Sequence, residues 1–68
     1  MYKLFKNSLN SINAVIRIED NAFIPFDPAN TDYQQFKAQV LADEAQLEDA
    51  DGVLMTAEEA KAFVKELP

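Results

Sequence analysis

The sequence predicts a small α+β domain in which an N-terminal β-hairpin packs against two C-terminal helices. Two patterns lead to this prediction: apolar residues alternate with period two over residues 1–19, and they recur at helical spacing over residues 31–47 and 56–67. The chain has 68 residues, a length that supports one domain with a small core. We therefore expect a single domain over residues 1–68.

The hairpin is predicted from two alternating segments, residues 1–7 and 12–19, which are joined by a polar turn. Further along, residues 23–26 are apolar enough to form a short third strand. Pro25 restricts such a strand to the edge of the sheet, because proline has no N–H to donate to a neighbouring strand. We assign residues 1–26 to the hairpin and this extended segment.

The alternation also divides the hairpin into two faces. We expect the face that carries Leu4, Ile16 and Ile18 to be covered by the helices, and the face of Phe5 and Val15 to stay open. A sheet of two or three strands in so small a protein also has exposed edges. Phe5 and Val15 are therefore the predicted interaction surface.

Both helices are predicted to begin at a capping box, in which a Ser or Thr side chain and a Glu or Gln three residues later bond each other's backbone N–H. Thr31 and Gln34 have this spacing in the first helix, and Thr56 and Glu59 have it in the second. The apolar stripes that we expect to face the sheet are Tyr33, Phe36, Val40 and Leu47 on the first helix, and Ala60, Phe63, Val64 and Leu67 on the second.

Composition narrows the function. The chain contains no Cys and no His, so disulfides, zinc–thiolate sites and the usual general base near neutral pH are all absent. A net charge of −6 argues against binding to nucleic-acid phosphates or to anionic membranes. No apolar run reaches membrane-spanning length. We predict no enzyme activity, no catalytic residue, no cofactor and a cytosolic location.

One acidic segment resembles the calcium loop of an EF-hand. Asp49 and Asp51 match its third and fifth positions, Gly52 matches the turn glycine and Glu58 matches the final bidentate carboxylate. However, Leu47 stands where the first Asp ligand belongs. We favour an acidic turn before a capped helix, with no metal, and keep calcium binding by Asp49, Asp51 and Glu58 as an alternative.

A second resemblance covers most of the chain from residue 23 onward. Residues 24–36 read I-P-F-D-P-A-N-T-D-Y-Q-Q-F, which fits the pattern I-P-x-D-P-x-N-x-D-Y-Q-x-[FY] followed by a helix. This segment resembles one that is common in small proteins of tailed bacteriophages, many of them marine, and similar segments recur in tail-fibre-associated proteins. Residues 49–59 also resemble the ends of those proteins. The resemblance implies a viral origin and a tail- or virion-associated role, and it assigns no site residue.

The sequence therefore favours a non-enzymatic interaction protein that binds a protein partner or forms a homo-oligomer, without nucleic acid or membrane. One alternative is an acidic decoy that inhibits a host nucleic-acid-binding protein, and another is the degenerate EF-hand-like calcium module. We expect the protein in the host cytoplasm or, as the resemblance implies, incorporated in the virion.

Overall fold

A computed structural model describes residues 1–67 and confirms the α+β class, with the first three strands preceding the helices. Its elements are β1 (Tyr2–Lys6), β2 (Ile12–Arg17), β3 (Ala22–Pro25), α1 (Thr31–Leu41), β4 (Leu47–Glu48) and α2 (Ala57–Lys65). The predicted hairpin is β1 and β2, and the extended segment forms the third strand. The fourth strand was not predicted.

The sheet has the strand order β3-β2-β1-β4. The first three strands are antiparallel neighbours, while β4 pairs parallel to β1, with Tyr2 opposite Leu47. The Tyr2 N–H also donates to the Gln46 carbonyl at 2.9 Å. Both helices lie on one face of the sheet, which we call the inner face.

The register corrects the predicted division of the hairpin. Leu4 lies directly opposite Val15, and directly opposed residues share a face of the sheet. Val15 is therefore on the inner face with Leu4 and is fully buried, whereas Ile16 and Ile18 lie on the other side. Period two alone does not relate the faces of two strands, because a shift of one residue in the register exchanges them.

The turn between β1 and β2 fixes this register. The Asn7 Oδ1 atom accepts hydrogen bonds from the backbone N–H groups of Leu9 and Ser11, at 2.9 and 3.1 Å. Asn10 adopts a left-handed conformation with φ 61°, which Asn tolerates better than most residues. A bulge then shifts the pairing so that Lys6 lies opposite Ile12. Ile12 consequently packs against the core. Without the bulge it would share a face with Ile16, which lies four residues further along the chain.

Helix α1 begins at the predicted Thr31, but its N-cap and its end differ from the prediction. Its N-cap is Asn30, whose Oδ1 accepts from the Tyr33 N–H at 3.1 Å, so the predicted Thr31 capping box is wrong. The helix ends at Leu41, not at residue 47, because Asp43 turns left-handed with φ 60°. The Glu44 N–H then donates to the Gln39 carbonyl at 2.8 Å, the pairing of a Schellman C-cap.

Helix α2 confirms its predicted capping box. The Glu59 N–H donates to the Thr56 Oγ1 atom, and the Thr56 N–H donates to Glu59 Oε1, both at 3.1 Å. Glu58 and Glu59 in the first turn also suit the positive end of the helix dipole. The helix ends at Lys65, slightly before the predicted residue 67.

The core lies between the inner face and the two helices. It is made of Tyr2, Leu4, Val15, Ile24, Tyr33, Phe36, Val40, Leu47, Ala60 and Val64. Phe36 is at its centre: its ring meets Tyr2 edge-on at 5.0 Å between centroids and stacks on Phe26 at 6.1 Å. The Tyr2 hydroxyl donates to Gln39 Oε1 at 2.5 Å, and burial raises the pKa of Tyr2 above its ordinary value. Within residues 1–67, the helices thus cover one face of the sheet only.

Candidate interaction face of the sheet

The side of the sheet away from the helices, here called the outer face, is mostly apolar. Side chains alternate between the faces along each strand, so the positions between the buried residues belong to this face. Its apolar residues are Phe5, Ala14, Ile16, Ile18, Phe23 and Pro25, and its charged residues are Lys3 and Glu48, which pair in register.

An aromatic pair crosses the middle of the outer face. The rings of Phe5 and Phe23 meet edge-on, with their centroids 5.2 Å apart. Phe5 pairs with Ala14, and Phe23 pairs with Ile16 on the other side of β2. The two rings therefore approach each other across the central strand, where the small side chain of Ala14 leaves them room. Ala14 is fully buried although no helix lies on this side, because the rings lie over it.

The outer face exposes much of this apolar surface. Phe23 is 57% exposed and Ile18 is 39% exposed, while Phe5 and Ile16 are half-buried. A single exposed apolar residue is ordinary on a protein surface, but a contiguous patch of several residues marks an interaction surface. The outer face is a contiguous apolar patch centred on the aromatic pair, which makes it a candidate interaction surface.

The two residues predicted to form the interaction surface are separated by the sheet. Phe5 lies on the outer face and contacts Phe23, whereas Val15 belongs to the core and has no exposed surface. The prediction of Val15 is wrong because its register partner is Leu4. Sequence reasoning missed Phe23 and Ile18 on this face. The signal for Phe23 was its position two residues before Pro25 in the predicted edge strand, which places both residues on the same face.

Both edges of the sheet resist the addition of another strand. The Phe26 N–H donates to the Asn13 carbonyl at 3.0 Å, and hydrogen-bonded positions alternate along an antiparallel pair. Pro25 therefore occupies a position whose N–H would point to the open edge, and it has none to offer. At the other edge, Leu54 bridges to Glu48, and the Met55 N–H donates to the Leu47 carbonyl at 2.9 Å. The outer face, not an edge, is the accessible part of the sheet.

Charge is unevenly distributed around this face. Seven of the twelve acidic residues lie between residues 43 and 59, where there is no Lys or Arg. In contrast, residues 1–18 contain three basic residues and no acid. The two segments meet where β4 joins β1, and a Cβ placed on Gly52 would lie 4.0 Å from Lys3 Nζ. The acidic segment therefore borders the outer face along its β4 side, next to Lys3.

One carboxylate of the candidate calcium loop, that of Asp49, stabilises a tight turn. Asp49 Oδ1 accepts from the N–H groups of Asp51 and Val53, at 2.9 and 3.0 Å, and Gly52 completes the turn with φ +84°. Glu58 lies in the first turn of α2. Within residues 1–67 no three carboxylates come together in a group that could hold a metal ion. A strand, not the helix of an EF-hand, also leads into this loop.

A groove of about 340 Å³ lies between the end of α1 and the start of α2. Its floor is apolar, with Val40, Leu47 and Ala60, and its only charged lining residue is Asp43. Asp43 forms an ion pair with Lys61, with Nζ and Oδ2 2.7 Å apart. In the described part of the chain no buried side-chain nitrogen or oxygen lacks a hydrogen-bond partner. The one charged group that lines the groove is therefore already paired.

Neither helix within residues 1–67 combines the length and apolar character that crossing a bilayer requires. Comparison of the chain with known protein families, with curated proteins and with solved structures found no match.

Proposed function

We propose that this chain is a non-enzymatic protein-interaction module that docks through the outer face of its sheet. The observation that carries the proposal is the Phe5–Phe23 pair, whose second ring is 57% exposed at the centre of an apolar patch. Aromatic side chains, Phe among them, are enriched at protein interfaces, where a few residues near the centre of the contact carry most of the binding energy. The absence of His and Cys from the sequence supports a role in binding over one in catalysis.

Affinity capture with the chain as bait tests this proposal. Phe23→Ser removes the exposed ring, while Leu9→Ser is the matched control, because Leu9 is 82% exposed in the turn between β1 and β2. We expect the captured partner to be lost with Phe23→Ser and retained with Leu9→Ser. A partner that binds both variants equally would show that docking uses another surface.

The phage resemblance supports a more specific setting, in which the module is made in the host cytoplasm and docks on a larger component of the tail or virion. Quantitative mass spectrometry of purified phage particles tests this setting. We expect the chain to be present at a fixed ratio to a tail protein. Its presence only in the lysate would place it among the non-structural proteins.

An acidic decoy is the second candidate, and the concentration of acidic residues between residues 43 and 59 favours it. A decoy that imitates phosphate spacing would bind a host nucleic-acid-binding protein through charge. Its binding would weaken steeply with salt and would tolerate Phe23→Ser. These two responses separate it from docking through the outer face.

A further inference from the structure

We propose that the partner of the outer face is a second copy of this chain, so that two copies pack face to face around a two-fold axis. This inference rests on the proposed function. The charge of the outer face, the area that the face offers and the geometry of the sheet support it.

Charge favours the outer face as the place where two copies meet. Each copy has a net charge of −6, so most orientations bring acidic surfaces together. Within the four strands, the outer face carries only Lys3 and Glu48, which lie side by side in register and cancel each other. Two copies that meet on this face bury apolar side chains, and the strands themselves bring no uncompensated charge into contact; the acidic segment stays at the β4 border of the face.

The available area sets the strength of the pair. The exposed parts of the aromatic and aliphatic side chains on this face amount to roughly 400 Å². The two copies of a dimer therefore bury on the order of 800 Å² together, below the roughly 1,200 Å² of a standard stable interface. We consequently expect a weak dimer, with a dissociation constant in the range of about 10 µM to several hundred µM.

The fold also limits the assembly to two copies. The inner face is covered by the helices, so each copy has one such surface. An interface in which the same patch is used by both partners closes on itself. Pro25 at one edge and the Leu54 bridge at the other oppose growth from strand to strand. The product is a closed dimer and not a fibre.

Analytical ultracentrifugation of the full chain tests the inference, from about 10 µM to about 1 mM protein and in about 50 and about 500 mM NaCl. We expect a monomer–dimer equilibrium that tightens severalfold at the higher salt, because screening reduces the repulsion between two copies of charge −6. Phe23→Ser should weaken dimerisation by about tenfold or more. Leu9→Ser should leave it unchanged.

Circular dichroism of each variant shows whether it is folded, and Ile18→Ser serves as a second variant, since Ile18 is 39% exposed on the same face. A chain that stays monomeric at about 1 mM in both salts overturns the inference. So does a dimer that is insensitive to both variants, or one that weakens as salt is raised. If the chain is monomeric but captures another protein through Phe23, the proposed function stands and only the second copy is excluded. If the chain neither dimerises nor captures another protein through Phe23, both the inference and the proposed function are wrong.

Discussion

The two faces of this sheet have similar apolar composition and opposite surroundings. On the inner face, Leu4 and Val15 are buried under two helices, and Phe36 is completely enclosed. On the outer face, Phe5 and Phe23 cover only each other and the small Ala14. Apolar residues on both sides of a strand define two surfaces of a sheet, while the connections between elements decide which surface the chain itself covers.

The largest contrast is expected between two phenylalanines. Phe36→Ala should cost about 3–5 kcal/mol, because it empties the centre of the core. That loss approaches the whole stability of a domain of this size, about 3–10 kcal/mol. Phe23→Ala should cost less than about 1 kcal/mol, since the ring is 57% exposed. Urea denaturation followed by circular dichroism measures both, and equal losses would mean that the outer face is covered in solution.

A second comparison of the two faces uses Val15 and Ile16, which are neighbours on β2. Val15→Thr places a hydroxyl in the core and should cost about 1–3 kcal/mol. Ile16→Thr places one on the half-buried outer face, where water is within reach, and should cost less than about 1 kcal/mol. Thermal unfolding of the two variants under the same conditions gives the comparison. The reverse order would contradict the register that pairs Val15 with Leu4.

A third test concerns what holds a helix over the inner face. Thr56→Ala removes the N-cap of α2 and should cost about 1 kcal/mol. Thr31→Ala is the matched control, because the N-cap of α1 is Asn30, and it should be nearly neutral. Chemical denaturation provides the measurement. A loss with Thr31→Ala as large as that with Thr56→Ala would restore the capping box that the sequence suggested.

The smallest effect concerns the charged end of the inner face. Arg17 donates from Nε and a terminal nitrogen to both carboxylate oxygens of Asp20, at 3.0 and 2.9 Å, and this contact lowers the pKa of Asp20 below its ordinary value of 3.8. The stabilisation is therefore complete above pH 3.8 and is lost as the pH falls through the lower pKa of the folded state.

The Asp20→Asn variant isolates this contribution. It should be slightly less stable than the wild type at pH 7, and the difference should narrow below pH 3.8, as followed by melting temperature against pH. The group is exposed, so salt should also reduce the difference. A difference that is constant with pH would mean that Asp20 is not held by Arg17.

Elements whose determinants lie close in sequence were predictable. The capping box of Thr56 and Glu59 needs only neighbouring atoms, and the hairpin needs only alternation and a polar turn. The end of α1 was not predictable, since the left-handed residue there is Asp43, set among residues that suit a helix. Strand β4 was missed for a different reason: Leu47 is a strand residue only because β1 lies beside it.

The candidate site was only half predictable, because part of it depends on how the strands pair with one another. The sequence showed that some apolar face of the hairpin would lack a cover, and it placed Phe5 there. Assigning Val15 required the register between strands, which is set by the hydrogen bonds of Asn7 in the turn. Phe23 joins the face only when β3 pairs with β2.

The parallel pairing of β1 with β4 has a consequence for the order of folding. The hairpin of β1 and β2 closes over a short turn, and hairpins of this kind form within microseconds. Tyr2 meets Leu47 only after most of the chain has been brought back to the first strand, and contacts so distant in sequence slow the search for the native state. During synthesis on the ribosome, β1 therefore cannot pair with β4 until residue 47 has left the exit tunnel.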